Sequence, residues 1–255
     1  MPYLDRDGVQ LYYETHGPSQ TDRRPVLLTH GYSATAEMWA PNMAALAARR
    51  RVMTWDIRGH GRSDAPEDPA RYSESLSVGD MAALLDAAGI GEAIVGGLSL
   101  GGYLSLAFHL RYPERVTALV LCDTGPGYRR DGPRNEWNAM ASRWADDFDR
   151  QGLAALTGSA EVRASHHRSP AGLALAARGI LAQHDSRVIE SLPYIAVPTL
   201  VLVGADDTAF LAAADVMAAK IPGATKVVVE GAGHAANIDQ PEAFNRAVHD
   251  FLDDL

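Results

Sequence analysis

A single cysteine in 255 residues leaves no partner for a disulfide, so a small cross-linked secreted scaffold is excluded. That residue, Cys122, lies inside the apolar run Val116 to Cys122. It reads as a small buried side chain, not as a nucleophile. No apolar run reaches the length that spans a bilayer, and Met1 to Asp7 lacks the basic-then-apolar pattern of an export signal. A reducing, cytoplasmic setting is therefore expected. Basic residues are also in deficit. Lys and Arg total 23 against 32 Asp and Glu, a net charge of −9, which opposes binding to nucleic acid or to anionic lipid. Metal-site spacing is missing as well: His166 and His167 are adjacent and no H-E-x-x-H occurs, so no metal is expected.

What is present is a soluble, core-forming composition, 47% hydrophobic with 22% charged residues. Short apolar runs alternate with helical periodicity. Strands are predicted near Tyr3 and at Val9 to Glu14, Pro25 to Thr29, Arg51 to Trp55, Ala93 to Gly97, Val116 to Cys122, Thr199 to Val203 and Lys226 to Val229. The first two form a hairpin across Asp7-Gly8. Helices are predicted over about Ala36 to Ala48, Ser75 to Ala88 (capped by Ser75 or Ser77 and ended by Gly89), Tyr103 to Arg111, Leu211 to Ile221 and Pro241 to Leu255. Continuous apolar strands between helices call for an α/β fold: a mostly parallel sheet of about eight strands with helices on both faces.

The alternation stops after Asp123. From Asn135 to Leu192 only helical periodicity remains, with Trp137, Met140, Trp144 and Phe148 on one repeat. The chain thus divides into a core of residues 1–124 and 198–255 and a helical cap, or lid, of residues 125–197 inserted after the sixth strand. Trp137, Met140, Trp144 and His167 are expected to face whatever lies beneath it.

The stretch Gly97-Leu98-Ser99-Leu100-Gly101 joins a strand to a helix and fits G-x-S-x-G, the turn that lifts a serine hydroxyl clear of a sheet. A serine needs a base, and the base needs an acid to hold its tautomer. His234, in the glycine-rich loop Glu230 to Ala236 after the last strand, is the expected base. The same loop fits the loose dinucleotide pattern G-x-G-x-x-A, but too little chain follows to build a βαβ unit. Asp206 and Asp207 follow the strand Thr199 to Val203, and a chain turning there aims only one of them inward; Asp123 ranks third, with a turn cap as its plainer reading. The backbone N–H groups of Tyr32 and Leu100 are expected to face the oxyanion. His30 is then a loop-packing residue, not a second base.

With these residues in hand the chain resembles the α/β-hydrolase fold superfamily, in its branch of small capped enzymes: enol-lactonases, carboxylesterases, cofactor-free haloperoxidases and carbon–carbon bond hydrolases. The resemblance runs over essentially the whole length. It rests on Leu27-Leu-Thr-His30-Gly31, Asp56-Ile-Arg-Gly-His-Gly-Arg-Ser63, Gly97-Leu-Ser99-Leu-Gly101-Gly102, Pro198 to Gly204 followed by Asp207, and Gly231-Ala-Gly-His234. In the family pattern the acid is the third residue after the glycine, which selects Asp207. Ser99 argues against the epoxide hydrolases and haloalkane dehalogenases, which carry aspartate there. The resemblance implies a serine hydrolase of small carboxylic esters or lactones, with Ser99, His234 and Asp207 as its triad and no cofactor. A carbon–carbon bond hydrolase of a vinylogous diketone would use the same residues. A non-catalytic small-molecule receptor on this fold would bind without turnover.

Overall fold

The computed structural model describes residues 3–253 and 255. Eight strands form one sheet: β1 (Tyr3–Arg6), β2 (Val9–His16), β3 (Val26–Thr29), β4 (Val52–Trp55), β5 (Ala93–Leu98), β6 (Val116–Cys122), β7 (Thr199–Gly204) and β8 (Thr225–Val229), in the spatial order 1-2-4-3-5-6-7-8. The β1–β2 and β2–β4 pairings are antiparallel and all others parallel. Asp7 and Gly8 both take positive φ (55° and 79°), the conformation a two-residue hairpin turn requires.

The apolar strands are continuous because both sheet faces are covered. Leu27, Val95, Leu119, Leu121, Val201 and Val203 point to one side, onto α2 (Glu74–Ala87), α3 (Leu100–Arg111) and α8 (Leu211–Lys220). Their sequence neighbours Val26, Leu28, Ile94, Ala118, Val120, Leu200 and Leu202 point to the other. There they meet Leu46 of α1 (Ala40–Leu46) and Phe244, Val248 and Leu252 of α10 (Pro241–Asp253). Period-two alternation within an unbroken apolar run is what a doubly covered strand looks like.

Local chemistry moves some boundaries. Ala36–Trp39 forms a 3-10 turn of its own, and a fresh helix begins at Ala40 with Pro41, which has no N–H to give, in its first turn. Helix α2 is capped by the Ser73 hydroxyl, which accepts from the Leu76 N–H at 3.1 Å; the expected Ser75 and Ser77 are already inside the helix. Gly89, at φ 67°, ends it as expected. A short helix α9 (Ala236–Asp239) follows the histidine loop and gave no periodic signal. The predicted continuation of the last helix to Leu255 takes in position 254, outside the described residues.

Between β6 and β7 the described chain is helices and turns: α4 (Asp131–Gln151), α5 (Ala160–Arg163), α6 (Pro170–Ala176) and α7 (Arg187–Ser191), with a wide π turn at Ala177–Leu181. This segment lies over the carboxyl ends of the central strands. The Tyr32 hydroxyl donates to the Leu173 carbonyl at 3.0 Å, and the Tyr32 and Trp144 rings stack 5.9 Å apart. Among the described residues no helix is long and apolar enough to cross a membrane.

Candidate active site

Ser99 joins β5 to α3 with φ 55° and ψ −117°, a conformation that strains any residue with a Cβ by about 1–3 kcal/mol. Its neighbours hold it there. The Ser99 N–H donates to the Cys122 carbonyl at 2.9 Å, and the Thr124 hydroxyl donates to the Ser99 carbonyl at 2.6 Å. The flanking glycines are required by contact. A Cβ on Gly101 would stand 2.1 Å from the Thr29 carbonyl oxygen, and one on Gly97 would stand 2.5 Å from that same atom. Strand β3, strand β5 and helix α3 approach this closely only without those side chains. Leu100 is the first residue of α3, so its N–H has no intrahelical acceptor and faces the site with the positive end of the helix dipole.

The loop after β3 packs against the elbow, where a Cβ on Gly31 would lie 3.4 Å from the Ser99 Cβ. His30 is fully buried. Its Nε2 accepts from the Ile57 N–H at 2.9 Å, which leaves Nδ1 to donate to the Gly31 carbonyl at 2.7 Å. Burial pulls its pKa down to about 4, so it stays a neutral strut. A trans peptide points its N–H opposite its carbonyl, so the ring that holds Gly31 C=O also sets the direction of the Tyr32 N–H. His60 extends the brace, its Nε2 accepting from the Ser33 N–H at 3.3 Å.

His167 belongs to this brace and does not line the cavity under the helices, contrary to the sequence expectation. Its Nδ1 accepts from the Gly61 N–H at 3.2 Å and its Nε2 donates to the Ser33 carbonyl at 3.0 Å. With both nitrogens committed to backbone, it clips the helical segment onto the loops after β3 and β4.

At the other side of the elbow, His234 Nδ1 lies 2.8 Å from Asp207 Oδ2. Asp207 is buried and Asp206 is exposed, so of the adjacent carboxylates only the former faces inward. The approach of the two loops depends on Gly204, where a Cβ would meet the Gly233 carbonyl at 2.2 Å. Phe210, which the sequence reading passed over, stacks on the His234 ring at 5.0 Å between centroids. An aromatic three residues beyond the chosen acid was the one available signal.

Asp123, at the end of β6, is fully buried at φ 45°. One oxygen accepts from the Gly204 N–H at 2.7 Å and the other has no partner. Burial pushes its pKa up to about 8, so the carboxyl is neutral at pH 7. The folded chain then holds a proton that the unfolded chain releases near 3.8, and stability declines as pH rises across that window. Asp123→Asn keeps the Gly204 bond and tolerates the positive φ. Its melting temperature relative to wild type is expected to climb steadily from pH 4 to pH 9, about the limits of that window. A thermal-melt series across pH checks this.

Ser99, Trp137, Leu181, Ala209 and Phe210 are shared by two cavity limbs, so the serine sits at their junction. One limb, about 250 Å³, runs past Leu100, Tyr103, Thr124, Gly127 and Gln183. The second, about 480 Å³, runs past Tyr32, Met140, Trp144, Glu161 and His234. Trp137, Met140 and Trp144 thus reach the cavity, and the Trp137 indole is pinned by donating to the Leu181 carbonyl at 2.9 Å.

Residues 24–169 match the family described as alpha/beta hydrolase fold. A Caulobacter protein provisionally named carbamate hydrolase RutD is 32% identical, with 95% of each chain covered. Among solved structures, an enol-lactonase from Burkholderia xenovorans superposes with a TM-score of 0.79 at 31% identity, covering 99% of this chain and 100% of that one. A thermophilic esterase from Thermogutta terrifontis gives 0.83 at 31%, covering 99% and 97%.

Proposed function

The chain belongs to the alpha/beta hydrolase fold family, and on that premise we propose that it cleaves a small carboxylic ester or lactone through an acyl-enzyme on Ser99. The observation that carries this reading is the 2.8 Å bond from His234 to Asp207, made by a histidine that lines the same cavity limb as Ser99. The Asp207 carboxylate keeps the proton on Nδ1, which leaves Nε2 free to take the proton of the Ser99 hydroxyl. Attack on the acyl carbon creates an oxyanion, which the N–H groups of Leu100 and Tyr32 receive. His234 returns the proton to the departing alcohol, and water enters by the same route to release the acid.

His234 lines only the larger limb. Because it must reach the leaving oxygen, the alcohol portion lies in that limb and the acyl portion in the smaller one, beside Leu100 and Thr124. The helical segment between β6 and β7 acts as the lid over both limbs. The relatives named for enol-lactone and ester hydrolysis support the substrate class. We place the enzyme in the cytoplasm, where the lone buried Cys122 stays reduced.

Burial lowers the His234 pKa, but the hydrogen bond and charge of Asp207, followed by the charge of Glu161, outweigh it and raise it above the ordinary 6.5. Only the neutral ring accepts a proton. The expected kcat/KM therefore falls as pH drops, through a midpoint above 6.5, and Asp207→Asn moves that midpoint down. The direct test is a fluorophosphonate probe, which should label Ser99 alone. Labelling that survives in Ser99→Ala overturns the proposal.

A further inference from the structure

The two cavity limbs meet without merging. Ser99, Trp137, Leu181, Ala209 and Phe210 line both, so these side chains form a waist with the nucleophile on it. On either side the space widens to about 250 and 480 Å³. The constriction therefore lies where the chemistry takes place.

The two aromatic rings of the waist come from different parts of the fold, and each is fixed. Trp137, on α4 of the inserted segment, donates its indole N–H to the Leu181 carbonyl at 2.9 Å and packs against Tyr128 at 6.1 Å between ring centroids. Leu181 closes the π turn Ala177–Leu181, where the Ala182 N–H donates to the Ala177 carbonyl at 3.1 Å, so the atom that holds the indole is itself held. Phe210, in the turn before α8, lies against the His234 ring at 5.0 Å with 26° between the planes. Walls pinned by hydrogen bonds and packing do not swing aside for an oversized group without strain.

A substrate must set its acyl carbon beside the Ser99 hydroxyl, at the waist, with the acyl portion running into the smaller limb. The carbon next to the carbonyl is then the first one past the serine, still between the rings. A CH₂ there is slim, whereas a branched carbon brings methyl groups against fixed walls. A site discriminates by such clashes as effectively as by attraction.

Resting on the ester or lactone reading above, we propose that Trp137 is a specificity-determining residue: its ring narrows the waist so that acyl groups unbranched beside the carbonyl are accepted and those branched there are rejected. Phe210 shares the waist, but its contact with His234 ties it to the base as well, so Trp137 is the position that isolates the effect.

The test pairs 4-nitrophenyl butanoate with 4-nitrophenyl 2,2-dimethylbutanoate, and uses 4-nitrophenyl hexanoate as a control for chain length. Each kcat/KM is divided by the rate constant for hydroxide hydrolysis of the same ester, which removes the intrinsic slowness of hindered esters. Ratios are taken within one preparation, so any misfolded fraction drops out. Wild type is expected to favour butanoate over its dimethyl analogue by roughly tenfold or more after this correction. In Trp137→Ala that preference should fall by roughly tenfold, and in Trp137→Phe, which keeps a smaller ring, part of the way. The ratio of butanoate to hexanoate should stay as in wild type. A purely structural role for Trp137 would slow both members of each pair alike and leave the ratios unmoved. A corrected preference near one in wild type, one that survives in both variants, or a length ratio that shifts as much as the branching ratio overturns the assignment of Trp137 while the hydrolase reading stands. Turnover that persists in Ser99→Ala instead overturns the hydrolase reading.

Discussion

Alanine at position 234 is expected to lower kcat for a nitrophenyl ester by on the order of 10⁴- to 10⁶-fold with KM little changed, and Ser99→Ala to do the same. The effect is large because the proposed mechanism makes the two residues act as one unit. Without the imidazole the hydroxyl keeps its proton, and without the hydroxyl the imidazole has nothing to activate. The double variant should therefore lose hardly more than either single one. Residual rate above water is left to the N–H groups of Leu100 and Tyr32 and to binding. Asp207→Asn is expected to cost about 10⁴-fold, since an amide that donates toward Nδ1 turns the ring to the wrong tautomer. Asp206→Asn, on an exposed side chain that points out of the site, should stay close to wild type. Steady-state kinetics on the purified set decides this. Equal losses for the two aspartates, or multiplying losses for Ser99 and His234, would sink the assignment.

The largest expected loss of stability lies elsewhere, at Arg58 and Asp80. Both side chains are 1% exposed, and the guanidinium donates through Nε and Nη2 to the two carboxylate oxygens at 2.8 and 2.7 Å. Its Nη1 also donates to the Arg71 carbonyl at 2.7 Å. Asp80→Ala leaves a buried cation with no counter-charge, which costs about 3–5 kcal/mol and should lower Tm by roughly 10 °C in a chain of this size. The pair itself is a different matter. Two desolvated charges barely outweigh the water they surrender, so Arg58→Met with Asp80→Leu is expected to recover most of the loss. Thermal melts of the single and double variants give the answer, and a single variant that melts with wild type would show the charge reaching solvent. Activity should suffer as well in Asp80→Ala, because Arg58 anchors the loop that carries His60, and His60 braces Ser33 beside Tyr32.

Much of this was legible along the chain, for reasons that are local. Val116 to Cys122 and Thr199 to Val203 announce doubly covered strands because apolarity without interruption has few other uses in a chain of this composition. Ser99 is legible because it sits at a strand end between glycines whose contacts at Thr29 admit no side chain, and His234 because it sits at a strand end in a glycine-rich loop that Gly204 lets approach closely. What the sequence could not carry is anything set by distant partners. His167 looked like a pocket residue because it lies in the inserted helical segment; the backbone atoms that claim its ring belong to Ser33 and Gly61, more than a hundred positions earlier. Gln183 had no period or motif to mark it and Phe210 only its spacing from the acid, and it is the folded cavity that sets them beside the serine. The choice between Asp206 and Asp207 came from the family pattern, while the physical reason, one buried and one exposed carboxylate, is a property of the turn.

Strand β8 occupies an outer position in the sheet with a partly exposed surface, and the loop it feeds carries His234 into the cavity limb that Ser99, more than half the chain away, also lines. On the proposed mechanism, fraying of that margin would disconnect the proton acceptor while the central strands stayed paired. Gentle heating should thus silence the enzyme before it melts, and cooling should restore it.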